Sequence, residues 1–102
     1  MSTLEQKLRQ LEQATATSEL LLAEKESELS SASEALCRAK SRLRSLSPEA
    51  QSQLQVNDTE LPELIAAKMR AREARDEAKA RHETNAKYVS IFRERVAEDR
   101  GA

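Results

Sequence analysis

The sequence predicts an all-α protein built on a long coiled coil, and three observations carry that prediction. With Leu8 counted as heptad position a, the a positions are Met1, Leu8, Thr15, Leu22, Leu29, Leu36 and Leu43. The d positions are then Leu4, Leu11, Ser18, Lys25, Ala32, Ala39 and Leu46. A stripe this narrow, repeated every seven residues and bounded by charge, can be buried only against another helix. Charged residues make up 34% of the chain and there is one glycine, a composition of long helices rather than of a layered domain. Finally, Tyr88 and Phe92 are the whole Phe/Trp/Tyr content and much of the apolar remainder is alanine, so 102 residues hold too little to fill a globular core of their own.

The first element covers residues 1–46. Ser2-Thr3-Leu4-Glu5 has the spacing of a capping box, in which serine oxygen and glutamate carboxylate satisfy each other's free backbone amides. A helix over residues 3–46 rises on the order of 65 Å at 1.5 Å per residue. Weak helix formers at residues 14–18 predict a soft joint. The polar seam residues Thr15, Ser18 and Lys25 are read as devices that penalise slipped registers at some cost in stability. The second element, residues 47–59, is a break. Ser47 followed by Pro48 reads as an N-cap and first helical position, which stops the first helix at Leu46 and starts a short segment. Asn57, Asp58 and Thr59 then offer caps for a third element, residues 60–102, with Gly101 as its C-cap. This last helix is apolar at its start (Leu61, Leu64, Ile65) and at its end (Tyr88, Val89, Phe92, Val96). Alanines 71, 74 and 78 stand at candidate core positions between, and Glu77–Arg81 and Glu83–Lys87 are four residues apart.

The leading arrangement is a parallel homodimer interrupted at residues 47–59, with Leu4, Leu8, Leu11, Leu22, Leu29, Leu36, Leu43 and Leu46 as its oligomer seam. Lys7 at g facing Glu12 at e of the other copy favours that orientation. The alternative is an antiparallel helical hairpin that assembles into a bundle, which small Ala32 and Ala39 at d would also suit. Leu20 at f and Leu21 at g fall outside a two-helix seam and read either as exposed leucines or as contacts with a further helix.

Chemistry is sparse. One histidine, one cysteine, no glycine-rich loop and no Cys/His set at ligand spacing argue against an enzyme, a metal site or a cofactor. His82 reads as a plain helical histidine. Cys37, unpaired at an outer b position, points to a reducing, intracellular setting, cytoplasmic or nuclear. No apolar run exceeds the four residues of 20–23, far too few for a membrane span.

Net charge is −1, but it is distributed in blocks. Residues 1–34 carry −4, residues 35–47 carry +4, residues 48–65 carry −4 and residues 66–88 carry +3. The expected contact surface for an acidic partner is therefore Arg38, Lys40, Arg42 and Arg44, joined by Lys68, Arg70 and Arg72. The partner is a microtubule, another acidic protein surface, or the chain's own residues 48–65. DNA is a weaker alternative, because here the basic run follows the heptads, whereas in leucine-zipper transcription factors it precedes them.

The heptads and charged helices resemble the rod segments of cytoskeletal, motor-adaptor and kinetochore proteins, including the microtubule-binding coiled coil of kinetoplastid kinetochore proteins. The resemblance spans nearly the whole chain. It implies a non-enzymatic, dimeric scaffold whose Lys/Arg surface meets acidic tubulin, with a purely structural rod or an adaptor for a helical partner as the alternative. It also implies that the segment belongs to something longer.

Overall fold

A computed structural model describes residues 3–57 and 60–101, and the side chains of all of these except residues 54–57. Three features expected from the sequence lie outside the described residues: Met1 of the heptad stripe, the Ser2 cap, and Asp58 and Thr59 of the second break. The described residues form three α-helices: α1 (Thr3–Arg44), α2 (Pro48–Asn57) and α3 (Glu60–Gly101).

Helix α1 runs unbroken through residues 14–18, so no joint opens there. The hydroxyls of this stretch bond back into the helix. Thr15 Oγ1 donates to the Leu11 carbonyl at 2.7 Å, Thr17 Oγ1 to that of Gln13 at 3.0 Å and Ser18 Oγ to that of Thr15 at 2.9 Å. Each side chain spends its proton on the helix that carries it, in place of a competing turn.

The helix ends two residues before the expected Leu46. Ser45 N–H still reaches the Ser41 carbonyl at 3.2 Å, but Leu46 N–H bonds Leu43 at 3.2 Å, the tighter three-residue spacing of a terminating turn. Pro48 disfavours helical geometry in the residue before it, and Ser47 accordingly sits outside both helices. Ser47 caps α2: its Oγ accepts from Ala50 N–H at 3.3 Å, and its carbonyl from Gln51 N–H at 2.9 Å. Gln51 Nε2 donates to the Leu46 carbonyl at 2.8 Å and ties the turn together. Gly101 is the last helical residue of α3 and has no positive φ, so it does not form the left-handed cap expected of it.

Two compact units make up the chain, Met1–Glu24 with Asp76–Ala102, and Lys25–Arg75. In the first, α3 returns beside α1 in the opposite direction. Glu5 pairs with Arg100, Glu12 with Arg93 and Ser18 with His82, so rising numbers on α1 meet falling numbers on α3. Pairing inside one chain is the geometry of the hairpin alternative. A physical reason is visible in α3 itself. Lys68 and Arg75 occupy equivalent positions in successive heptads of its half-buried stripe, so a second copy lying parallel and in register would set like charges face to face. Within the second unit, Arg42 of α1 reaches Glu60 of α3 at 3.1 Å, and Leu36 is its buried centre at 5% exposure.

Candidate functional site

Along α1, Leu36 is buried, whereas Leu4, Leu8, Leu11, Leu22, Leu29 and Leu43 are half-buried and Leu46 is exposed. Leu46 lies past the helix end, which carries it out of the stripe. Leu21 is half-buried and Leu20 is 74% exposed, so only the leucine adjoining the seam is covered.

Helix α3 supplies a second stripe that reasoning from apolar residues alone misses. Leu61, Leu64, Lys68, Ala71, Arg75, Ala78, His82, Asn85, Val89, Phe92 and Val96 are all buried or half-buried, and they alternate steps of three and four without a slip. This is a complete heptad track. It was hidden because Lys68, Arg75, His82 and Asn85 interrupt its hydrophobic signal; the spacing, read without regard to polarity, would have found it. The stem carbons of Lys68 and Arg75 can line a seam while their charged ends reach water. Ala74 adjoins the track and is half-buried, whereas Tyr88, expected at the apolar end, is exposed because it precedes Val89 by one residue and so points about 100° away.

In the first unit the polar positions of the two stripes coincide. Ser18 Oγ and His82 Nδ1 are 2.9 Å apart, and Ser18 is the most buried polar side chain among the described residues, at 5% exposure. Since Ser18 gives its one proton to the Thr15 carbonyl, its oxygen accepts from an Nδ1–H. One turn further along α3, Asn85 Nδ2 donates to the Ala14 carbonyl across a long 3.5 Å. Beyond the polar layer come buried Val89 and Val96 and half-buried Phe92, over whose ring the Arg95 guanidinium stands at 5.5 Å. The end of the unit is tied by Glu5 Oε1, which accepts from Arg100 Nη2 at 2.8 Å and Nε at 3.0 Å. Glu12 meets Arg93 of the chain's own third helix at 3.5 Å.

Arg38, Lys40, Arg42 and Arg44 lie exposed on α1, and Arg70 and Arg72 lie exposed on α3, while Lys68 is half-buried in the α3 stripe. Two members of the α1 group are engaged within the second unit. Arg38 lies 3.8 Å from Glu34, one turn back, and Arg42 bonds Glu60, so the chain's own acidic block takes one of the contacts foreseen for a partner. Lys25, the charge at a d position, is half-buried and paired with Glu28 at 3.3 Å. The Glu77–Arg81 pair forms at 3.3 Å. Such exposed pairs contribute roughly 0.2–1 kcal/mol each.

Cys37 is exposed. Among the described residues, no group of three His, Cys, Asp or Glu side chains could hold a metal ion, and no helix is long and apolar enough to cross a membrane. No family model matches the chain, and no curated protein or solved structure matches it.

Proposed function

We propose that this chain is a non-enzymatic helical scaffold that associates with further copies of itself and offers its exposed Lys and Arg residues to an acidic protein surface. The observation that carries the reading is the coverage of the leucine stripe. Six of its leucines stay half-exposed in a single chain, leaving apolar area that a second copy would remove from water at about 25 cal/mol per Å². The arrangement proposed is a dimer of hairpins forming a bundle, because pairing within the chain already occupies one side of each stripe. A parallel coil of two chains would have to open that pairing first.

The acidic partner proposed is the microtubule surface, on the resemblance to kinetochore and cytoskeletal rods and on the exposure of Lys40, Arg44, Arg70 and Arg72. A purely structural role is the second reading. The internal ion pairs of Arg38 and Arg42 favour it, because they lower the charge left for a partner.

Co-pelleting with microtubules over a salt series separates the two. A functional basic surface binds at low salt and weakens as exposed charges are screened within about 8 Å at physiological ionic strength. Lys40→Glu with Arg44→Glu, or Arg70→Glu with Arg72→Glu, should abolish pelleting while helicity is unchanged. These positions avoid the Arg42–Glu60 pair, so lost binding is not confounded with a loosened hairpin. Protein that stays in the supernatant at every salt concentration leaves the structural reading standing, and a shift of duplex DNA under the same conditions would point to nucleic acid instead.

A further inference from the structure

A heptad coil has a weakness built into its regularity. If one helix slides by seven residues, every seam position lands on another seam position, and leucines find apolar neighbours again. Something other than the leucines has to choose the register. In the first unit, α1 contributes Thr15 and Ser18 at successive a and d positions, and α3 contributes His82 and Asn85 at successive positions of its own track. The observed register brings these four to one level, with Ser18 bonded to His82 and Asn85 to the Ala14 carbonyl.

A slide in one direction would set Ser18 against Arg75, His82 against Leu11 and Asn85 against Leu8. A slide in the other would set Ser18 against Val89, Asn85 against Leu22 and His82 against Lys25. Both strand polar groups against apolar ones, and a buried donor or acceptor without a partner is costly. The ion pairs at the end of the unit do not choose as well. They are exposed, and charges alternate densely enough on both helices for substitute pairs to form.

We infer that Thr15, Ser18, His82 and Asn85 form a register lock: a polar layer, matched across the hairpin, that selects one of several otherwise similar alignments of α3 on α1. The lock works by making the slid registers worse, so replacing the whole layer with leucine should leave the helices formed and the register undecided.

Cross-linking tests this on the full chain with Cys37→Ala as background. Three cysteine pairs report three registers under a short bismaleimide: Glu5→Cys with Arg100→Cys for the observed one, Glu5→Cys with Arg93→Cys and Glu12→Cys with Arg100→Cys for the two slides. With the native layer, the first pair should cross-link at least about tenfold more than either other, the ratio that roughly 1.4 kcal/mol of register preference sets. In the Thr15→Leu, Ser18→Leu, His82→Leu, Asn85→Leu variant, all three pairs should cross-link to similar extents with helicity retained. Equal cross-linking with the native layer overturns the inference, and so does a variant that keeps the native preference.

If the fourfold variant fails to fold, a cycle of Ser18→Val and His82→Leu takes its place. Each single change should lower the unfolding midpoint and the double change should recover most of the loss, because it removes both orphaned groups. Additive losses overturn the lock.

Discussion

Leu36 and Leu20 share a residue type and a helix but not a fate. Leu36 falls at a and is 5% exposed; Leu20 falls at f and is 74% exposed. Leu36→Ala should therefore cost about 2–4 kcal/mol by loss of packed apolar atoms, whereas Leu20→Ala should stay within about 0.5 kcal/mol of wild type. Urea unfolding of the two variants side by side checks the contrast, and equal losses would mean that the stripe is not the core. Ala78 presents the opposite case, a small residue buried in the α3 stripe. Ala78→Leu should overpack the seam and cost about 1–3 kcal/mol. The Glu5–Arg100 pair belongs to a third category, because Arg100 is largely exposed and its charge is well solvated. Arg100→Ala should lower stability by less than about 1 kcal/mol, and the difference should fade in high salt. At this scale the apolar a positions were legible from the sequence. The roles of Ser18 and His82 were not, because 64 residues separate them and a polar residue announces no partner.

Helix α1 was legible because its signal repeats: six heptads of apolar a positions outweigh the polar interruptions at Thr15, Ser18 and Lys25. Helix α3 was only half legible. Its ends are apolar, but its middle fills the same track with Lys68, Arg75, His82 and Asn85, and a search for hydrophobic periodicity averages them away. The turn between α1 and α2 was predicted from Ser47-Pro48, since proline removes one N–H and serine satisfies another. Ser47→Ala should cost about 1 kcal/mol, with the loss concentrated in α2. Ten residues make too short a helix to persist without its cap, so hydrogen exchange should quicken in residues 50–53 while residues 30–40 keep their protection. Uniform quickening along both helices would show instead that α2 and the hairpin unfold as one.

At the level of the whole molecule, few apolar side chains are fully removed from water, and association is expected to be linked to folding. The urea midpoint should rise with protein concentration, and the sedimenting mass should exceed that of one 11.4 kDa chain wherever the helicity is complete. A midpoint independent of concentration, together with a monomer of full helicity, would remove the proposed bundle. What the sequence determined by itself was the class of structure and the place where it bends: heptad spacing, dense charge and scarce glycine dictate long helices that must bury a stripe, and Pro48 dictates an interruption. These are local or periodic properties, and each can be read within a window of a few turns. The choice of what covers the stripe was decided only in the tertiary structure. A leucine track is satisfied by any apolar track, parallel or antiparallel, from the same chain or another, so the energies of the alternatives differ little in their apolar terms. They differ in the polar ones, where Ser18 must find His82 and Asn85 the Ala14 carbonyl, and those matches exist only once α3 lies beside α1 in its own register.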